Sequence, residues 1–131
     1  PSNPAILHAF RWFLRLCSAL PDAEVVMVAG NHDAPRTAET GCILRLFREC
    51  GVHVVDGAAE RLHFDRLGCS VLCVPDTGHP RPALDPDPAA RWNVLLIHGE
   101  VEGVLPKEAA PTDRATMEIS RDELGAQRWD Y

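Results

Sequence analysis

Apolar residues in this chain gather into short runs that end abruptly in polar side chains. Within Glu24–Asp33, EVVMVAGNHD, the run Val25–Ala29 is too short for a helix and rich in β-branched residues. It predicts a buried strand over Glu24–Ala29. Arg91–Ile97 repeats the form and leads into NVLLIHGE at Asn93–Glu100. Val52–Val55 predicts a further strand, and Glu60–Leu67 with Cys69–Val74 an antiparallel hairpin about Gly68. Helical spacing instead marks Pro4–Leu20, with Asn3 as cap and Pro4 in the first turn. Ile6, Leu7, Phe10, Phe13, Leu14 and Cys17 cover its inward side, and His8, Arg11, Arg15 and Ser18 its solvent stripe. A second helix is expected over Thr40–Cys50, with Ile43, Leu44 and Phe47 inward and Gly51 as its stop.

Strand, helix, strand in that order implies a parallel pair with a right-handed crossover. Ala34–Glu39, Pro75–Ala90 with its five prolines, and Val101–Thr116 read as surface loops. Ser120 and Glu123 form a capping-box pattern opening a short helix that Gly125 would end, and Trp129–Tyr131 would begin another strand. The fold class that follows is α/β.

Composition adds bounds. The 131 residues are 46% hydrophobic and 24% charged, which suits one globular domain with a real core. No window is long and apolar enough for a membrane span, so no membrane partner is expected. Five cysteines without paired metal or redox spacing read as buried, reduced thiols in a cytoplasmic protein. Thirteen basic against nineteen acidic residues give −6, with no basic patch of the kind that marks a nucleic-acid groove. The pairs Arg11/Arg15 and Arg45/Arg48 read as solvated helix surface, His53 as a structural strand residue, and His63 and Asp65 as the wet side of the hairpin.

The chemistry lies at the two polar tips. Gly30 allows a sharp turn at a strand end, after which Asn31, His32 and Asp33 stand where open α/β sheets present their ligands. His98, followed by Gly99, holds the equivalent place after the later strand. Asn31 offers a neutral oxygen and His98 an imidazole nitrogen, a donor pair favouring Mn, Fe or Zn over Mg or Ca. The two are expected to converge at one sheet edge. For Asp33, a turn carboxylate and a partner for His32 are equally good readings.

GNHD at Gly30–Asp33 and His98-Gly99 together resemble the third and fourth motifs of the calcineurin-like metallophosphoesterases. Ala34-Pro35 after GNHD, and His98-Gly99-x-Val101-x-Gly103, make the Mre11/SbcD-type DNA exonucleases the most similar branch. The resemblance implies a β-sandwich flanked by helices, α/β/β/α. It also implies two divalent metal ions, with Mn first and Fe or Zn as alternatives. Asn31 and His98 would bind the second metal, His32 would protonate the leaving oxygen, and Asp33 would orient His32. DNA as substrate, an SbcC/Rad50-like ATPase partner and a homodimer are implied as well.

The family's opening Asp-x-His and Gly-Asp-x-x-Asp and its closing Gly-His-x-His do not occur here. Arg81 and Pro82 follow Gly78-His79-Pro80 where a second histidine would be needed. Residues 1–131 are therefore expected to be the middle of one larger domain, lacking its first and last motif strands and inactive alone. Other branches, acting on nucleotides or phosphoproteins, and a non-catalytic protein-binding scaffold on the same fold are the competing expectations.

Overall fold

The computed structural model describes residues 2–33, 41–77, 80–104, 115 and 117–131. Its elements in order are α1 (Asn3–Ala19), β1 (Val26–Val28), a 3₁₀ helix (Ile43–Cys50), β2 (His53–Val55), β3 (Glu60–Phe64), β4 (Cys69–Val74), β5 (Trp92–Ile97), β6 (Glu100–Val101), β7 (Glu118–Ile119) and α2 (Arg121–Ala126). A single 3₁₀ turn, Asp65–Leu67, joins β3 to β4.

The strands form three small sheets. β1 pairs parallel with β2, Val26 opposite His53 and Val28 opposite Val55. β3 and β4 make the expected antiparallel hairpin, and β5 adds parallel to β4, with Val74 opposite Ile97. Side-chain alternation then builds layers. Val25, Met27, Val52 and Val54 face the helices, packing on Phe10, Phe13, Cys17 and Phe47. Val26, Val28 and Val55 point the other way, onto Val71, Cys73, Val94 and Leu96 of the β3–β4–β5 sheet. The outer face of that sheet carries Leu72 and Val74, covered by Leu84, Met117 and Ile119, with Leu124 and Trp129 alongside. A mixed α/β domain results, with helix, sheet, sheet and a last covering layer in sequence.

Several expectations need correction. Ser2, not Asn3, is the N-cap of α1, and no α1 residue is fully buried. Leu7 and Leu14, expected inward, are exposed, so a narrower stripe suffices to hold the helix. The second helix winds as 3₁₀ from Ile43, which is itself exposed. Its C-terminus is the expected one, with Gly51 at φ 86°. Arg45 and Arg48 are not simply solvated, since both bond the carboxylate of Asp56, just past β2. Pro75–Ala90 is no mere surface loop, because Pro75 and Leu84 are core residues.

The Ser120 side chain makes no cap bond, and α2 runs through Gly125. Glu123 pairs instead with Arg81. His63 does lie on the wet side, 3.5 Å from Asp87, but Asp65 sits in the 3₁₀ turn. β6 and β7 pair in parallel, where the sequence pattern gives a polar tip and the start of a loop at Glu100–Val101 and no element at Glu118–Ile119. Trp129–Tyr131 runs beside β5, where Leu95 N donates to Tyr131 O and Asp130 N to Asn93 O. Expectations for Ala34–Glu39, for Ala34-Pro35, for Gly78-His79 and for most of the 105–116 loop lie outside the described residues. Among the described residues no helix is long and apolar enough to cross a membrane.

Candidate metal centre

Both apolar runs deliver their tips to one place. β1 ends at Val28, and Ala29 continues its ladder by donating to Val55 O. Asn31, His32 and Asp33 then form a tight turn. Asp33 closes the turn twice: its N–H donates to Gly30 O, and its Oδ2 accepts from Gly30 N, each at 3.1 Å. That is the turn-carboxylate reading of Asp33, with one oxygen committed. The resulting turn presents an exposed His32 side chain.

On the other sheet His98 follows β5 directly and donates its N–H to Val74 O at 2.9 Å. Its imidazole reaches across the layer boundary, and Nε2 lies 3.2 Å from Asn31 Oδ1 and 3.3 Å from Asn31 N. The two residues thus converge although they are 67 positions apart. They do not share a sheet edge as expected, since β1 and β5 belong to different sheets. Nε2 can serve only one partner at a time. Unprotonated, it accepts from Asn31 N–H; protonated, it donates to Asn31 Oδ1.

Gly30 is required here for space and not for an unusual backbone. Its φ is not positive, contrary to the turn argument made from sequence. A Cβ on it would meet three atoms of the His98 ring, Cε1 at 2.6 Å. Gly99 has the same reason, because a Cβ there would stand 2.6 Å from Ile119 Cδ1.

Two donors held about 2.1 Å from one cation lie about 3.0 Å apart at an octahedral angle and about 3.4 Å apart at a tetrahedral one. The Asn31 Oδ1–His98 Nε2 separation of 3.2 Å falls between them. The pair therefore fits adjacent positions on a single metal. Among the described residues no group of three or more His, Cys, Asp or Glu side chains is arranged to hold a metal.

One neighbour escaped the sequence reading. Asp76, two residues past β4, is 2% exposed, and its N–H donates to Ala29 O at 3.1 Å. The signal was there: CSVLCVPD is a third apolar run ending in a polar tip, but its place at the head of a proline-rich stretch suggested surface. Asp56, at the end of β2, is a fourth tip, and Arg45 and Arg48 neutralise it. No protein-family model, curated protein or solved structure matches this chain.

Proposed function

We propose that this chain is the central part of a metal-dependent phosphoesterase domain of the calcineurin-like kind, hydrolysing phosphodiesters with two divalent ions, Mn first. The observation that supports this is the 3.2 Å approach of Asn31 Oδ1 to His98 Nε2 from tips of different sheets. Gly30 and Asp33 close the turn and Gly30 makes room for the imidazole, which leaves an amide oxygen and an imidazole nitrogen facing each other at the two tips. That donor pair is the kind a borderline divalent ion takes.

In this reading Asn31 Oδ1 and His98 Nε2 hold one metal, which would supply a nucleophilic water and neutralise charge at phosphorus. His98 must then be neutral with its proton on Nδ1, so the bond from Asn31 N–H to Nε2 gives way to the ion. Exposed His32 lies next in sequence to Asn31 and is free to meet substrate. An imidazole can give up a ring proton and so suits delivery to the leaving oxygen. Asp33 closes the turn that sets the direction of His32, and its second oxygen remains for the imidazole.

A DNA exonuclease working as a homodimer with an SbcC/Rad50-like ATPase is the most specific form of the proposal. One observation favours another branch, acting on nucleotides or phosphoproteins. The net charge is −6, and Arg45, Arg48 and Arg81 are tied to carboxylates instead of standing open to a phosphate backbone. The experiment is His32→Ala and His98→Ala in the complete domain, assayed on a good and a poor leaving group. His32→Ala should keep its metal and lose ~10²–10⁴-fold in kcat on the poor leaving group, and less on the good one. His98→Ala should lose metal and activity on both. A complete domain that binds no metal and turns over neither substrate would leave the scaffold reading instead.

A further inference from the structure

Cys17 and Cys50 are nucleophilic side chains that the foregoing roles leave unused. α1 and the 3₁₀ helix lie side by side and run in the same sense. Ala5, Ile6 and Ala9 face Ile43, Leu44 and Phe47 across one cleft, and the Phe13 and Phe47 rings meet at 4.9 Å between centroids. Four residues of α-helix and three of 3₁₀ helix each advance ~6 Å, so Cys17 and Cys50 stand one step beyond that ring pair. Both pack into the apolar cluster of Phe47, Val52 and Val54. Cys50 Sγ lies 3.7 Å from Phe10 O, on the stripe of α1 that also carries Cys17. Burial pushes the Cys50 thiol up, and the charge of Cys17 adds to that shift. Cys50 is buried and Cys17 only partly so. Cys69 and Cys73 also share a cluster, but four residues along one strand set them ~13 Å apart, beyond the reach of a bridge. Cys42 lies at the opposite end of the 3₁₀ helix from Cys50.

We infer that Cys17 and Cys50 are an oxidant-responsive thiol pair, in which a peroxide oxidises Cys17 and Cys50 then closes a disulfide that staples α1 to the 3₁₀ helix. Part-exposed Cys17 meets the peroxide first, while burial shields Cys50. The Cys17 sulfur takes one oxygen as the O–O bond breaks, giving a sulfenic acid and one water. The Cys50 sulfur then attacks the Cys17 sulfur, the S–O bond breaks, and the hydroxyl leaves with the Cys50 proton as a second water. The two thiols lose two electrons and two protons, and the peroxide is reduced to water. The ring so closed runs from α1 through β1 and the Gly30–Asp33 turn to the end of the 3₁₀ helix. Oxidation therefore restrains the segment that carries Asn31 and His32, and this holds whether or not the site binds a metal.

The test is hydrogen peroxide treatment of the chain as it stands, with remaining thiols then blocked by N-ethylmaleimide and the products mapped by non-reducing digestion and mass spectrometry. A Cys17–Cys50 link within one chain is expected, consuming two of the five thiols. The urea midpoint should rise on oxidation, because the closed ring has less freedom when unfolded, and dithiothreitol should return it to its starting value. Cys50→Ser should halt at a Cys17 sulfenic acid that dimedone traps, and Cys17→Ser should leave Cys50 reduced. No link, a link between chains, a link through Cys42, Cys69 or Cys73, or Cys17 carried to the sulfinic acid beside a reduced Cys50 overturns the pairing. An unchanged midpoint in the linked chain overturns the staple. If either variant does not fold, the map of the unsubstituted chain still decides.

Discussion

A methyl group on Gly30 would stand 2.6 Å from Cε1 and 2.9 Å from Nδ1 of His98. The imidazole therefore rests on the bare face of the glycine, and the two tips are fitted to each other before any ligand arrives. Gly30→Ala should push the ring away. Overpacking of this kind costs about 1–3 kcal/mol, read as a lower urea midpoint, and the His98 ring resonances should shift more than those of His8. Unchanged stability and unchanged ring shifts would mean that the contact is looser than the distances indicate.

Cys73 gives a pH dependence of definite sign. Burial, aided by the charge of Glu60, pushes its thiol from 9.0 up to about 11. The folded chain keeps a proton that the unfolded chain releases, so stability is complete below pH 9.0 and is lost as pH rises towards about 11. The loss should approach 2–3 kcal/mol, or roughly 1.4 per pH unit across that window. Cys42 and Cys50 are raised by burial as well and act in the same direction. Urea unfolding on either side of the window should show the drop, and Cys73→Ala should flatten the part of it due to this thiol.

Leu84 tests whether the proline-rich stretch belongs to the core. It is 3% exposed and packs with Leu72, Val74, Met117 and Ile119. Leu84→Ala should cost about 2–5 kcal/mol by lost burial and the cavity left behind. A surface loop would give less than about 0.5 kcal/mol, and calorimetric melting separates the two outcomes.

Asp56 ties the 3₁₀ helix to the end of β2 through Arg45 and Arg48, with its side chain 5% exposed and theirs about half exposed. Asp56→Ala leaves two partly solvated cations unpaired. A loss of about 1–2 kcal/mol is expected, between the values for exposed and buried pairs. Loss of a fully exposed pair would fall below 1 kcal/mol, and chemical denaturation measures the difference.

The apolar runs were legible because β-branched residues between turn signals have few alternatives to a strand. That is why β1, β2, β4 and β5, and the parallel sense of the first pair, follow from sequence. The convergence of Asn31 and His98 was legible for the same reason, since strand ends are where polar tips collect. Their placement on separate sheets was not, because alternation along a strand shows that two faces are buried but not which strands share a sheet. Asp76 and Leu84 were hidden by the prolines around them, which suggest solvent exposure irrespective of what the other side chains touch. The unused Ser120 cap was hidden by a distant partner, since Glu123 pairs with Arg81.

Because Asn31 is carried by one sheet and His98 by the other, the gap between their donor atoms follows the thickness of the apolar filling between the sheets. Val28, Val55, Cys73 and Leu96 occupy that filling, and Val74–Asp76 crosses it at one end, with Asp76 N–H bonded to Ala29 O and Val74 O to His98 N–H. The domain therefore works as a caliper whose jaws are set from inside. Trimming a methyl group from the filling, with no change at either tip, would alter the gap between Asn31 and His98. On the proposed metal reading, discrimination between ions of like charge would then be recorded in residues that never touch an ion.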